Sequence, residues 1–373
     1  MQGPTKKMKI LICGILPPPN FGHSMVYKML MATSFPGAFD TKFLNMQFWT
    51  YGTHKKVTIE KLFKMIKYYV IYCGILIFWR PKYVLYNSSF YRMPFLKDLL
   101  FCSTGIILGS KIVFHDLGQY VKELDESLSG FKRSALRWML QNMGGSIIMG
   151  EKVRQEYEGL ADQSKIFVVP GSAEDSREIK VDAPKNPGKI NVLYFSHMSR
   201  LKGVYTAFEA MSRVLKERAD TVVTFGGPME DQEVKSCLEA LQKDHPSRVF
   251  YEGYVEDVTK RTKIFRQADI FIFPTLRDVF GLVLLHAMAE GLPIVASREG
   301  TVPEIVLDGT NALLIEKGDA KALADKVLLM AQDRHLREEM GRANRLRFEE
   351  NYTIEKYGEN MIKVFHQLSA PIA

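Results

Sequence analysis

Four short segments carry residue types that bind or stabilise anions, and each sits where a loop turns into a helix. Segment 196–203 reads SHMSRLKG. Lys202 is a cation just ahead of a helix, and Gly203 lets the backbone come close, a combination that suits a diphosphate. Segment 273–288 reads FPTLRDVFGLVLLHAM, with Asp278 eight residues before His286. That spacing is a little over two helical turns, and Phe280, Gly281 and Leu282 would offer free N–H groups where the helix begins. Segment 17–24, PPPNFGHS, brings Gly22 and His23 to a helix start after an apolar strand, where the partial positive charge favours phosphate. Segment 300–306, GTVPEIV, places Glu304 in the first turn of another helix. Each also has a purely structural reading. Lys202 fits a solvated turn and Asp278 an N-cap. His286, among Leu285, Ala287 and Met288, fits a core, and Glu304 fits the helix dipole.

The elements that must hold these segments alternate along the whole chain. Short β-like apolar runs at 9–14, 83–87, 111–115, 146–149 and 166–169 are separated by helical stretches at 23–34, 59–78, 92–107, 130–143 and 151–159. A polar stretch, 171–189, then reads as a linker. The pattern restarts with strands at 191–195, 221–225, 249–252, 270–273, 293–296 and 312–315, again with helices between, and the chain ends in a helix at 354–368. Such alternation predicts an α/β protein with parallel sheets. Two Rossmann-like, doubly wound domains are expected, facing a cleft, with ligands at the carboxyl ends of the strands. The expected boundaries are 1–175, completed by the C-terminal helix 354–373, and 176–353.

The 373 residues suffice for two such cores. Net charge is +8 and uneven: residues 1–115 hold fifteen Lys and Arg against Asp40, Glu60 and Asp98, a local net of +12, leaving −4 for the remainder. That asymmetry points to an anionic partner for the first half, a membrane surface or nucleic acid. No recognition helix or aromatic–basic interleaving supports nucleic acid. Cys13, Cys73, Cys102 and Cys237 have no metal-ligand spacing and fit reduced thiols. The basic N-terminus followed by an apolar run reads as a first buried strand, since three prolines follow where a small-residue cleavage site would stand. The longest strongly apolar run, 68–79 (YYVIYCGILIFW), has twelve residues, short of the roughly 20 needed to span a bilayer. It reads as a core helix or as a membrane-facing one.

The segment 273–315, FPTLRDVFGLVLLHAMAEGLPIVASREGTVPEIVLDGTNALLI, resembles the retaining GT-B glycosyltransferases of the glycosyl transferases group 1 family, family four. The runs LYFSHMSRLKG (193–203), VFYEGYV (249–255) and ADIFIFP (268–274) follow in the same order. Over the first 180 residues the likeness reduces to the PPP–NFG loop and to His115-Asp116. The resemblance implies that Lys202 binds the donor diphosphate and that Gly22 and its neighbour His23 face the donor phosphates. It places Gly253, Tyr254 and Val255 beside the base, and Phe280, Gly281 and Leu282 against sugar and phosphate. It puts His115 near the reacting sugar. His197 stands where the family usually has Arg. Asp278 and His286 stand where it has two Glu, the first on sugar hydroxyls and the second on the ribose. With Glu304 these residues make up the expected donor site, and His115, Lys202 and Asp278 its catalytic part.

The activity implied is transfer of a hexose-type unit from a UDP- or GDP-sugar to an acceptor hydroxyl with retention, without metal or other cofactor and with no assigned protein nucleophile. The basic first domain and the 68–79 segment favour a lipid-linked acceptor in polysaccharide or lipopolysaccharide biosynthesis. They also favour a cytoplasmic protein peripheral on the inner face of the plasma membrane. A sugar-nucleotide epimerase and a non-catalytic nucleotide-sugar-binding homologue are the competing readings.

Overall fold

The computed structural model describes residues 7–18, 22–48, 59–88, 94–118 and 120–370. The chain divides into two compact units, Met1–Gly171 with Ile354–Ala373, and Ser172–Thr353.

The first unit is built on a six-stranded parallel sheet. Its strands are β1 (Lys9–Gly14), β2 (Asp40–Asn45), β3 (Tyr83–Asn87), β4 (Lys111–Asp116), β5 (Gly145–Ile148) and β6 (Ile166–Val168), in the order β2-β1-β3-β4-β5-β6. The interior strands are apolar throughout because both faces are covered, as parallel sheets require. Ile10, Leu11, Ile12 and Cys13 are wholly buried. Strand β2, DTKFLN, is not expected from the sequence, because it has neither a continuous apolar run nor a polar–apolar alternation. It is an edge strand, paired only with β1, and most of it is half-buried. The helix Val121–Ser127 was likewise not expected.

The C-terminal helix Ile354–Ser369 returns to this unit. Its Phe365 is fully buried, with ring centroids 5.4 Å from Phe35 and 5.6 Å from Tyr83. The Tyr83 hydroxyl donates to the Leu368 carbonyl at 2.6 Å.

The helix expected at 59–78 is found with nearly those bounds. It runs unbroken from Ile59 to Trp79, ending in a five-residue π-helical turn, Ile75–Trp79. Arg80 in the left-handed conformation (φ 53°) and Pro81 stop it. At 21 residues it is long and apolar enough by composition to cross a membrane, although the longest apolar run in the sequence is shorter. It is not a core helix: Tyr72 and Leu76 are buried, whereas Phe63, Val70 and Phe78 are exposed.

The second unit carries strands β7 (Ile190–Phe195), β8 (Thr221–Gly226), β9 (Val249–Tyr251), β10 (Ile270–Phe273), β11 (Ile294–Ser297) and β12 (Ala312–Ile315). They form a parallel sheet in the order β12-β11-β10-β7-β8-β9. Strands β8 and β9 extend to one side of β7 and β10–β12 to the other, so the order reverses between β7 and β10. The loops leaving those two carboxyl ends diverge to opposite faces, opening the crevice where doubly wound sheets bind ligands. The segment expected as a linker begins at the boundary between the units, and its first residues are anchored to this unit. Ala173 bridges to Thr353, and the Asp175 carboxylate takes Arg345 at 2.6 Å and Arg177 at 2.7 Å.

Truncating Phe365 to Ala removes a buried ring at the centre of the first unit's aromatic cluster. The expected cost is about 3–5 kcal/mol, lowering that unit's melting temperature by about 10 °C. A shift of less than about 2 °C on calorimetry would mean that the C-terminal helix does not complete this core.

Candidate donor site at the switch point of the second sheet

The loop after β7 and the loop after β10 are held together by backbone. The Leu201 carbonyl accepts from the Leu276 amide at 2.9 Å, the Arg277 amide at 3.1 Å and the Thr275 hydroxyl at 3.2 Å. Gly203 caps the helix Val204–Glu217 in the left-handed conformation (φ 72°), and a Cβ there would lie 1.7 Å from the Pro274 carbonyl oxygen. Only glycine permits that approach. Thr275 is fully buried and bonds both loops, yet its type carries no chemical signal in the sequence.

This clamp brings Lys202 and Asp278 together, Nζ to Oδ2 at 2.7 Å, with both side chains part-buried. Asp278 is therefore not an N-cap. That position belongs to Gly281, and the helix Leu282–Ala289 has no side-chain cap. Of the three amides expected to be free at its start, Leu282 is not, since it donates to the Phe280 carbonyl at 3.0 Å. The loop after β11 closes on the same place. Gly300 (φ 52°) leaves room for the Asp278 carbonyl, which a Cβ would meet at 2.0 Å, and the Thr301 hydroxyl donates to the Val279 carbonyl at 2.6 Å. Glu304 lies half-buried in the four-residue helix Val302–Ile305 that follows.

On the other side, the Gly227 amide donates to the Gly253 carbonyl at 2.8 Å, joining the loops after β8 and β9. Val255 is buried and Tyr254 exposed. His197 is exposed, in the same loop as Lys202. Arg200 turns away from the pair, over the Tyr205 ring at 4.7 Å.

His286 faces the helix Val258–Gln267 rather than the Lys202–Asp278 pair. Its ring meets Phe265 edge-on at 6.1 Å, beside Arg261, which is itself 3.7 Å from Glu174. Burial first, and then the Arg261 charge, push its pKa down to about 3, so the imidazole is neutral. It can donate one hydrogen bond and accept another.

In the first unit, Gly22 opens the helix Gly22–Ala32 and is exposed; residues 19–21 of the PPPNFGHS segment lie outside the described residues. His23 has its pKa pushed down to about 4 by burial. His115 ends β4 with both ring nitrogens engaged, Nδ1 with the Tyr27 hydroxyl at 3.1 Å and Nε2 with Tyr357 at 3.0 Å. Burial, then the nearby His23, push its pKa down to about 3. The expected role beside a reacting sugar thus meets a histidine whose two nitrogens are already used within its own unit.

An open depression of about 840 Å³ lies at the amino-terminal ends of the second sheet's strands, reached by Lys185, Arg218, Arg266 and Arg345. Each is paired, with Asp269, Asp220, Glu290 and Asp175 respectively, which marks these cations as structural. Among the described residues no three His, Cys, Asp or Glu side chains come together as metal ligands would.

Two parallel sheets of this order define a doubly wound α/β protein of the Rossmann type, with a cation–carboxylate pair at the switch point of the second. Residues 175–347, somewhat under half of the chain, match the profile of the family described as Glycosyl transferases group 1. The chain is 32% identical over 161 residues to a D-inositol 3-phosphate glycosyltransferase of Arthrobacter, covering 42% of this chain and 38% of the relative. To the capsular polysaccharide biosynthesis glycosyltransferase CapM of Staphylococcus aureus it is 28% identical over 174 residues, covering 46% and 45%. The chain thus spans about half or less of the length of the curated relatives it matches. In fold it is similar to Anabaena HepE, solved with UDP, at a TM-score of 0.71 and 13% identity over 96% of this chain and 100% of the other. HepE has also been solved with UDP-glucose. The two-unit α/β architecture is that of the GT-B glycosyltransferases.

Two outcomes follow from this geometry. Gly203→Ala must separate the two loops or strain the helix cap, and should cost at least about 1–3 kcal/mol in the second unit. Unchanged stability in urea would show that the loops are not clamped there. His115, neutral in the fold, contributes stability that is complete above its unfolded pKa of 6.5 and is lost as pH falls toward about 3. Between pH 6.5 and 5 the parent should lose up to about 1.4 kcal/mol per pH unit more than His115→Gln. Parallel stability–pH curves would remove His115 as the cause.

Proposed function

We propose that the protein is a retaining, metal-independent glycosyltransferase that moves a hexose-type sugar from a UDP- or GDP-sugar to an acceptor hydroxyl. The observation that carries this reading is the Lys202–Asp278 pair, held between β7 and β10 by the Leu201 carbonyl and Gly203. In the absence of donor each charge neutralises the other. A donor diphosphate replaces Asp278 as the anionic partner of Lys202, which frees the carboxylate to accept hydrogen bonds from sugar hydroxyls. Charge developing on the departing diphosphate is then met by Lys202 and by the amides of Phe280 and Gly281 at the helix start. His286, as a neutral imidazole, serves the ribose hydroxyls in place of a carboxylate. Gly253, Tyr254 and Val255 serve the base.

The UDP and UDP-glucose complexes of HepE support a nucleotide-sugar donor. The likeness to CapM supports polysaccharide biosynthesis. The acceptor proposed is a lipid-linked glycan, in keeping with the basic first unit, and the location a cytoplasmic membrane face. A second reading, donor binding without transfer, is favoured by one observation: His197 lies exposed beside Lys202 and leaves it the loop's single cation turned to Asp278.

A thermal-shift panel of nucleotide sugars tests the first step, since a ligand at about 100 times its Kd stabilises by about 2.7 kcal/mol. Lys202→Ala should lower nucleoside diphosphate affinity at least about tenfold while leaving the nucleoside unaffected. Asp278→Asn should lower turnover and alter sugar preference with diphosphate affinity kept, and His286→Ala should weaken every nucleotide alike. Equal diphosphate affinity in Lys202→Ala and parent would overturn the site. Donor binding with no transfer to any acceptor offered would establish the second reading.

A further inference from the structure

The helices of the first unit that follow β2, β3 and β4 are Ile59–Trp79, Pro94–Ile107 and Gly130–Gln141. The chain moves across the sheet in one direction through β2, β3, β4 and β5, so right-handed crossovers put all three helices on one face. They touch: the Tyr69 hydroxyl meets Thr104 at 2.8 Å, and the Tyr69 ring packs on Phe101 at 5.3 Å.

Their outer sides are apolar where water would favour polar residues. On the first helix Ile59 (76% exposed), Phe63 (68%), Ile66, Val70 and Ile77 recur at helical spacing along one stripe, with Phe78 (88%) beside it. The second helix adds Leu96, Leu100 and Ile107, and the third adds Phe131 and Trp138. Outward bulky side chains spread over three adjacent helices exceed the scattered apolar exposure of an ordinary surface. The charges set among them are mainly basic. Lys61, Lys67 and Lys132 lie there, while Lys64 pairs with Glu60 at 2.7 Å, and Arg133 and Arg137 pair with the buried Asp125 at 2.8 Å and 2.9 Å.

We propose that this three-helix face seats in the plane of an anionic lipid bilayer, its apolar stripe in the headgroup–acyl boundary and its lysines on the lipid charges. The length of the first helix would also allow it to span. However, Tyr72 and Leu76 are buried beneath it and Tyr69 is bonded to its neighbour, contacts that spanning would forfeit. The face deepens the membrane location proposed above and is tested apart from the transfer reading, because Lys202 and Asp278 lie on the other unit.

The full chain, without nucleotide, is co-sedimented with phosphatidylcholine vesicles and with vesicles that also contain phosphatidylglycerol, at low and high salt. Binding should need the anionic lipid and weaken with salt. The double variant Phe63→Ser/Phe78→Ser should lower partitioning at least about tenfold with its melting temperature kept. Lys67→Glu/Lys132→Glu should lose binding to anionic vesicles only. Equal partitioning of parent and phenylalanine variant, or none by either, overturns the proposal. So does a dimer in sedimentation velocity that Phe78→Ser dissociates while vesicles are ignored, since a second copy would then cover the face. Membrane-bound protein that resists alkaline carbonate would replace the in-plane seat by a spanning helix. Nucleotide thermal shifts on the same samples report the transfer reading separately.

Discussion

A single carbonyl, that of Leu201, takes three donors from the loop of a strand that enters the sheet much later in the chain. With Gly203 resting against the Pro274 carbonyl, it sets how far apart the carboxyl ends of β7 and β10 can be. Every proposed donor contact in the second unit is measured from that junction. Lys202 adjoins it on one side and Asp278 on the other, while Gly300 and Thr301 fasten the next loop to the Asp278–Val279 backbone. Charge pairing alone would not hold such a site, because a part-exposed lysine–carboxylate pair is worth about 1 kcal/mol or less. The backbone supplies the rigidity, and the pair supplies the chemistry.

That division explains which parts were legible in the sequence. All six strands of the second unit are short apolar runs between helices, and each was readable as such. Lys202 and Asp278 stood out because their types bind anions and carbohydrates at loop-to-helix turns. Thr275 and the Leu201 carbonyl did not, since a buried threonine and a backbone oxygen acquire their roles only from what the fold brings opposite them. The free amide expected at Leu282 was lost for the same reason: a local turn through the Phe280 carbonyl consumes it. In the first unit, β2 escaped notice because an edge strand lacks the continuous apolar run of a central one.

The long helix of the first unit shows a further limit. Its bounds were legible, 59–78 expected against Ile59–Trp79 observed, but which of its faces is covered was not. The chain continues helical through lysines at 61, 64 and 67, whose aliphatic stems suit either a protein surface or a lipid headgroup layer. Whether such a helix belongs inside or outside depends on which of its faces the sheet covers. Sheet order decides that, through the short reach of Tyr72 and Leu76 onto the core.

Histidine is used here in two ways that a motif cannot tell apart. His115 is spent on its own unit, with one tyrosine from the first helix and one from the last on its ring nitrogens. Among the described residues His286 has no such partners, and it sits beside Arg261, whose charge adds to burial in keeping the imidazole neutral. A carboxylate at position 286 would pair with Arg261 and compete with Glu174 for it. A neutral histidine leaves Arg261 to Glu174 and keeps this side of the site less negative. In the proposed site, the carboxylate paired with Lys202 is that of Asp278, which an anionic donor would have to displace. The exchange of an acid for a histidine at this depth is therefore consistent with a site that still takes a diphosphate, because it removes a repulsion while preserving a hydrogen-bonding group at the same place.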